Sequence, residues 1–151
     1  MFEEMMVIKE TGQPSPVARM LKVQYRMNKL ISNWCSGEMY NHELISDPAV
    51  AHHNLLTLQN VNHQSIGELG DIVMMLVDTA GCSMMEDYCE GGSHRNTHEA
   101  EIVKKHVDNL ITLGGMDTSQ TGVITPYNGQ LEIFKEHMCE QHTSLEIRNE
   151  V

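Results

Sequence analysis

The 151-residue sequence predicts an α/β fold in which helices flank a parallel sheet. Residues 72–77 are apolar without alternation, which is typical of a strand buried on both faces of a parallel sheet. Helical periodicity follows over residues 97–113, and a second short apolar run comes next, at residues 122–125. A strand, a helix and a strand in this order predict a right-handed βαβ unit.

An earlier strand-to-helix junction carries polar side chains. Residues 20–23 predict a strand, and an amphipathic helix pattern covers about residues 27–40. Between them, Gln24, Tyr25 and Arg26 fall at the carboxyl end of the strand, where ligands bind in open α/β sheets. A tyrosine ring stacks on a nucleobase and a guanidinium matches phosphate, so this junction suits a nucleotide.

The helix at residues 97–113 has a signal at each end. Asn96 is expected to cap its first turn, and Glu99 to reach back to the backbone of Asn96 in a capping box. Gly114 and Gly115 are expected to end it in the left-handed conformation.

The last part of the sequence predicts one more helix and one more strand. Pro126 is expected to open the helix, with Thr125 as its cap. Three apolar residues mark the buried face of this helix: Leu131, Phe134 and Met138. Residues 145–147 begin a strand, whereas residues 83–95 predict an exposed, mobile acidic loop.

Composition limits the classes of function. Ten basic against 21 acidic residues give a net charge of −11, so we expect the chain alone to bind nucleic acid poorly. The four cysteines lack C-x-x-C spacing, which argues against a zinc ribbon and for a reducing, intracellular compartment. Adjacent His52 and His53 do not share a helix face and have no further ligand at metal-site spacing, so no metal site is expected. No apolar run approaches membrane-spanning length, so no membrane partner is expected.

Four blocks together carry a resemblance to a known family. They are Q-Y-R-M at residues 24–27, M-Y at residues 39–40 with Leu44 shortly after, V-D-T-A-G-C at residues 77–82, and I-T-P-Y-N-G-Q at residues 124–130. In this order they resemble the superfamily 1B helicases, of the DNA2/NAM7-like, nonsense-mediated-decay type. The V-D-T-A-G-C block is most similar to the immunoglobulin-mu-binding branch.

The resemblance implies that residues 1–151 are part of the second RecA-like domain of a two-domain motor, a truncated parallel sheet flanked by helices whose first RecA-like domain is absent. In such motors ATP lies between the two domains. The resemblance then implies that Arg26 is catalytic, reaching the γ-phosphate as an arginine finger. It implies that Tyr25 stacks on the adenine and that Gln24 supports the junction.

The resemblance also implies that Thr125, Tyr127 and Gln130 lie along the nucleic-acid track or brace the cleft. A capped helix start explains residues 125–127 equally well. For the N-x-x-E-A block at residues 96–100, and for the polar pair after residue 77, helix capping and a strand-end turn are the favoured interpretations.

The sequence contains neither a G-x-x-x-x-G-K-[ST] phosphate loop nor a D-E-type Mg²⁺ motif. ATP and Mg²⁺ are therefore expected in the complete enzyme, and we expect this chain alone to hold neither and to be inactive as an ATPase.

Three hypotheses stay open. The chain is part of an ATP-dependent 5′–3′ DNA or RNA helicase that works with a first RecA-like domain in cis or in trans. Alternatively, it is a non-catalytic binding or regulatory module, or an incomplete gene product. The first hypothesis implies a nuclear or cytoplasmic location.

Overall fold

The computed structural model describes residues 20–89, 91–139, 142 and 144–149. The chain divides into two compact units, residues 1–53 and residues 54–151. Within the described residues, six short strands pair into three two-stranded sheets, two of them parallel and one antiparallel. Helices alternate with these strands, so the predicted α/β class is confirmed. No helix in the described part of the chain is long and apolar enough to cross a membrane.

The first unit is built around helix α1, Lys29–Tyr40. Asn28 begins it, because its side-chain oxygen accepts a hydrogen bond from the Leu30 N–H at 2.8 Å. Asn41 ends it in the left-handed conformation, with φ 49° and ψ 37°. The helix therefore starts two residues later than the sequence pattern predicts, where a capping side chain is available.

The strand before α1 is shorter than predicted from residues 20–23. Strand β1 is Val23–Gln24, and it pairs in parallel with β2, Ile45–Ser46. A strand extends only as far as its backbone finds a partner, and only the end of the apolar run does so here. The predicted order of strand, polar junction and helix is nevertheless present.

The second unit has its core between two helices and a parallel strand pair. The helices are α3, Thr97–Thr112, and α4, Asn128–Met138. Strand β5, Gly122–Thr125, pairs in register with β6, Glu146–Asn149. The buried core residues that they share are Ala100, Val107, Val123, Ile133, Phe134, Met138 and Leu145. A short helix, α2, spans His63–Ile66.

The expected ends of α3 are confirmed in part. The Asn96 side chain accepts from the Glu99 N–H at 3.0 Å, and Gly115 has φ 70° after the helix ends, whereas Gly114 does not have a positive φ. The reciprocal half of the capping box is wrong. The Glu99 carboxylate accepts from the Thr79 hydroxyl at 2.9 Å, while the Asn96 N–H donates to the Gln130 side chain at 2.6 Å. A side chain distant in sequence thus takes the position that Glu99 was expected to fill.

Helix α4 begins later than predicted. Its first residue is Asn128, and Tyr127 precedes it without a side-chain cap. Thr125 is not the cap, because its backbone is still paired with Asn149 in the strand ladder. Its hydroxyl accepts instead from the Tyr127 N–H at 3.3 Å. Phe134 and Met138 are buried as predicted, whereas Leu131 is only half-buried.

Residues 72–77 do not form the predicted buried strand, so the βαβ unit built on it is wrong. They have no strand partner among the described residues, and Leu76 is 92% exposed. Strand β5 pairs with β6 instead. An apolar run favours burial, but burial between strands also requires neighbours for its N–H and C=O groups.

The segment at residues 83–95, predicted as a loop, contains an antiparallel hairpin. Strand β3, Asp87–Tyr88, pairs with β4, His94–Arg95. Gly91 and Gly92 in the turn have φ of 105° and 80°, values that glycine adopts without steric cost. The glycine pair therefore allows the chain to fold back on itself.

Candidate functional site

The side chain of Gln24 closes the turn that follows β1. Its amide nitrogen donates to the Met27 carbonyl at 2.8 Å and to the Ser46 hydroxyl at 2.7 Å. Its amide oxygen accepts from the N–H groups of Arg26 at 2.9 Å and Met27 at 2.8 Å. Both ends of the amide are thus used, and they fix the backbone on which Tyr25 and Arg26 stand.

Tyr25 and Arg26 present their side chains to solvent from this fixed turn. Tyr25 is 65% exposed and Arg26 is also exposed. Within the described residues, Arg26 forms no ion pair with a carboxylate. An exposed ring beside an exposed guanidinium offers a stacking surface and an anion-binding group to the same ligand.

A cavity of about 360 Å³ adjoins this turn through Ser46. It lies in the first unit, and its lining includes Lys29, Asn33 and His52. Lys29 is the first residue of α1, so its positive charge stands at the end of the helix where the macrodipole is also positive.

A larger cavity of about 400 Å³ lies in the second unit. Thr125, Tyr127 and Gln130 all line it, so the structure brings together the three residues assigned to the nucleic-acid track. They reach it from the end of β5 and from the start of α4. The three residues lie close together because β5 leads directly into α4, which places the end of the strand and the start of the helix at one edge of the sheet.

These three side chains are not equally accessible. Thr125 is 5% and Gln130 8% exposed, whereas Tyr127 is 49% exposed. The Gln130 side chain is paired with the backbone of Asn96, accepting from its N–H at 2.6 Å and donating to its carbonyl at 3.1 Å. Gln130 therefore holds the start of α3, and only Tyr127 offers a broad surface to a ligand.

His94, which lines the same cavity, and its neighbour Tyr88 were missed by the sequence analysis. The His94 ring contacts two tyrosines, 4.6 Å from the Tyr88 centroid and 5.2 Å from the Tyr127 centroid. Glu86 is ion-paired with the His94 imidazole when the imidazole is protonated. The glycines of the hairpin turn were the available signal, since a tight turn brings the residues on either side of it together.

Hydrogen bonds join the segments around this cavity. The Asn96 amide donates to the Met84 carbonyl at 3.1 Å, and the Gly129 N–H donates to the Ser93 hydroxyl at 2.9 Å. Asp78 closes a turn by accepting from the Ala80 N–H at 2.9 Å, so the predicted turn is present, but the strand that it was expected to follow is not. The hairpin and the starts of both long helices are thus held in one arrangement.

Charge is distributed unevenly between the two units. Residues 1–53 contain five basic and six acidic residues, a net charge of −1. Residues 54–151 contain five basic and 15 acidic residues, a net charge of −10. Nearly all of the acidic excess therefore belongs to the unit that contains Tyr127.

Among the residues that the structure describes, no three His, Cys, Asp or Glu side chains are placed to hold a metal ion.

Comparison with known proteins gives the family. A family model described as an AAA domain matches residues 1–149. The chain belongs to this AAA-domain family of superfamily 1B helicases. The resemblance and the partial RecA-like α/β fold are thereby confirmed. The match spans both compact units, including the Q-Y-R-M turn and the cavity at Tyr127.

Three relatives illustrate the similarity. The chain is 35% identical over 134 residues to DNA-binding protein SMUBP-2 of Rattus norvegicus, covering 88% of this chain and 13% of that protein. It is 36% identical over 124 residues to DNA polymerase alpha-associated DNA helicase A of Saccharomyces cerevisiae, covering 79% and 18%. It is 29% identical over 132 residues to uncharacterized ATP-dependent helicase MJ0104 of Methanocaldococcus jannaschii, covering 84% and 19%. The chain thus spans less than a fifth of the length of each of these relatives.

Proposed function

We propose that residues 1–151 supply part of the second RecA-like domain of an ATP-dependent helicase motor. The supporting observation is the turn closed by Gln24, which presents Tyr25 and Arg26 to solvent from a fixed backbone. A group that acts on a transferring phosphoryl must be held in position beforehand, and this turn provides such a support. A first RecA-like domain, in cis or in trans, supplies the opposite wall of the nucleotide site.

In this proposal Arg26 acts on ATP through charge. Its guanidinium lies against the γ-phosphate and stabilises the negative charge spread over the phosphoryl group in the transition state. Tyr25 packs its ring on the adenine, and Gln24 acts through both of them by fixing their backbone. An exposed guanidinium and ring fit a nucleotide, whereas the sequence contains no D-E-type Mg²⁺ motif. We therefore assign Mg²⁺ binding to the first domain, and expect no hydrolysis by this chain alone.

Nucleic acid is the second proposed ligand. Tyr127 is the residue exposed enough to contact it, while Thr125 and Gln130 shape the cavity wall from buried positions. Relatives are named as a DNA-binding protein and as a DNA helicase, which supports nucleic acid as the substrate class. Activity on DNA or RNA, 5′–3′ translocation and a nuclear or cytoplasmic location belong to the same proposal.

One observation favours a second candidate function, a non-catalytic binding or regulatory module. The net charge of −10 on residues 54–151 disfavours a polyanion and favours a basic partner.

A nucleotide titration tests the motor proposal. A fluorescent ATP analogue is titrated into the purified chain, with and without the first RecA-like domain of a close relative, and ATP hydrolysis is measured in parallel. We expect binding and hydrolysis only when that domain is added. Tyr25→Ala should weaken binding, and Arg26→Ala should lower hydrolysis about 10³-fold or more, as removal of an arginine finger does.

Arg148→Ala is the matched control, because it removes another exposed arginine from a different unit of the chain. Hydrolysis by the chain alone, or full hydrolysis by the Arg26→Ala mixture, would contradict the proposal. A folded chain that binds no nucleotide even with the added domain would support the regulatory module instead.

A further inference from the structure

One surface of the second unit has a chemical character that the motor proposal does not explain. It comprises Glu86, Tyr88, His94, Glu99 and Tyr127, and we refer to it as the acidic-aromatic cleft. Tyr88 is 72% exposed, although large aromatic side chains are usually buried. Its ring contacts the His94 imidazole, which also contacts the ring of Tyr127. His94 and Tyr127 line a cavity of about 400 Å³, and Tyr88 adjoins this cavity through His94.

The charges beside these rings are mainly negative. Glu86 and Glu99 line the cavity, and Asp87 is exposed on the adjacent strand. One arginine, Arg95, also lines the cavity, and its cross-strand partner in the hairpin is Asp87. Three carboxylates against one guanidinium leave this surface with a net negative charge, within a unit whose total charge is −10.

Tyrosine faces flanked by carboxylates match a cation. The face of an aromatic ring is negative, so it attracts a guanidinium or an ammonium group placed over it. A guanidinium also binds a carboxylate through two parallel hydrogen bonds, which makes arginine the better match of the two. A nucleic acid strand would stack on the same rings, but its phosphates would have to lie beside Glu86 and Glu99.

We propose that the acidic-aromatic cleft binds an arginine-bearing basic peptide segment, with separate guanidinium groups stacked on Tyr88 and on Tyr127 and bonded to Glu86 or Glu99. This proposal adds a regulatory ligand to the proposed motor function, and its inhibitory effect rests on the proposed contact between Tyr127 and nucleic acid. Because Tyr127 is also the exposed residue of the nucleic-acid track, a bound basic segment and a nucleic acid strand exclude each other. The segment is thus an inhibitor of nucleic-acid binding at this site.

The cleft is held ready for such a ligand. Gln130 pairs with both backbone groups of Asn96, and the hairpin is fixed to α4 by the bond between Gly129 and Ser93. These contacts position Tyr88 relative to Tyr127 before any ligand arrives. A site that is already ordered loses less side-chain and loop entropy on binding, so even a short segment can gain measurable affinity.

Fluorescence anisotropy of labelled peptides tests the proposal on the full chain. An eight-residue peptide of alternating arginine and glycine is compared with its lysine counterpart and with a glutamate counterpart. We expect the arginine peptide to bind most tightly, the lysine peptide more weakly and the glutamate peptide not at all. Tyr88→Ala should weaken the arginine peptide about fivefold, a loss within the range for a cation–π contact, and Tyr88→Phe should restore binding.

Two matched controls accompany these variants. Tyr40→Ala removes an exposed tyrosine from the other unit, and Glu132→Gln removes an exposed carboxylate from α4 outside the cleft. Neither should change the affinity for the peptide, whereas Glu86→Gln should weaken it. Circular dichroism of each variant verifies that the fold is retained.

A labelled single-stranded oligonucleotide separates this proposal from the motor function. Displacement of the bound oligonucleotide by the arginine peptide, lost in Tyr88→Ala, supports the proposal. If the oligonucleotide binds but the peptide does not, or if Tyr88→Ala binds the peptide like the unchanged chain, the cleft is not a basic-peptide site, and the motor proposal is unaffected. Suppose instead that the Arg26→Ala chain, mixed with the added RecA-like domain, hydrolyses ATP normally while peptide binding still depends on Tyr88. In that case the motor proposal fails and the proposal of peptide binding at the cleft stands.

Discussion

The two units of this chain are stabilised in different ways. The second has a core of seven buried apolar residues between α3, α4 and the β5–β6 pair. In the described part of the first, Ala51 is the one buried hydrophobic residue, and the other buried residues are polar: Asn28, Ser32 and Ser36. The Q-Y-R-M turn therefore depends on side-chain hydrogen bonds with little apolar core beneath them, whereas the hydrogen bonds at the cleft are supported by a packed apolar core.

The hydrogen bonds at the two candidate sites also differ between the units. A glutamine fixes the backbone in each, Gln24 in the first unit and Gln130 in the second. The Gln24 side chain fixes backbone N–H groups two and three positions away, within its own turn, and its distant hydrogen bond is to the Ser46 side chain. Gln130 acts on Asn96, 34 residues away, and so links two elements of a packed core.

Removing a core side chain should have the largest effect. Met138 is fully buried in the core of the second unit, and Met138→Ala should lower the free energy of unfolding by about 2–5 kcal/mol. Met39→Ala, at an exposed position in the first unit, should change it by less than about 0.5 kcal/mol. Urea denaturation followed by circular dichroism measures both. Equal effects would show that the two units do not differ as described.

Replacing Gln130 or Gln24 should have an intermediate effect, mainly on stability for Gln130 and mainly on nucleotide binding for Gln24. Gln130→Ala leaves the buried Asn96 N–H without its acceptor and should cost about 1–3 kcal/mol of stability. Gln24→Ala should cost less, because the Arg26 N–H that it frees is exposed to water, but it should weaken binding of the fluorescent nucleotide in the presence of the added domain. Denaturation midpoints and the nucleotide titration give the two results. Nucleotide binding that depends on Gln130 and not on Gln24 would reverse the assignment.

The smallest expected effect is on the pH dependence of stability, and it arises from Asp108 in the second unit. The Lys104 ammonium, hydrogen-bonded to Asp108 at 2.6 Å, lowers the pKa of this carboxyl below its usual 3.8, with a further contribution from His142 and with partial burial opposing both. A carboxyl whose pKa is lowered by folding stabilises the fold above its unfolded pKa. That stabilisation is lost as the pH falls below about 4, the unfolded value, and through the lower folded value.

Asp108→Asn should therefore be less stable than the unchanged chain at pH 6, and the difference should shrink as the pH falls from about 4 towards 2. Urea midpoints measured across this interval give the comparison. Lys104→Met removes the main cause of the shift and should reduce the same pH dependence. A difference that stays constant over the whole interval would contradict this account.

Local features of the sequence predicted local features of the structure. The cap at Asn96, the left-handed glycine at Gly115 and the strand at residues 122–125 were correct, because each is determined by a few neighbouring residues. The Q-Y-R-M junction was placed between a strand and a helix for the same reason. The family was identified from the order of the blocks, which does not require the tertiary structure.

Features that depend on distant partners could not be predicted. Residues 72–77 have the composition of a buried strand, but pairing requires a neighbour that composition does not reveal. The capping box at Asn96 failed because Gln130 competes for the same N–H across 34 residues. The stacking of Tyr88, His94 and Tyr127 depends on a hairpin turn and on its position against α4, and only the first of these has a local signal.

The exposed segment at residues 72–77 also bears on how copies of this chain behave towards one another. An unpaired apolar stretch of this length can serve as a template for strand pairing between molecules, which leads to insoluble assemblies. Asp71 precedes the segment and Asp78 follows it, so each end carries a negative charge. Stacking copies in register would bring like charges together at both ends, and such flanking charges are the gatekeepers that keep an apolar stretch in solution.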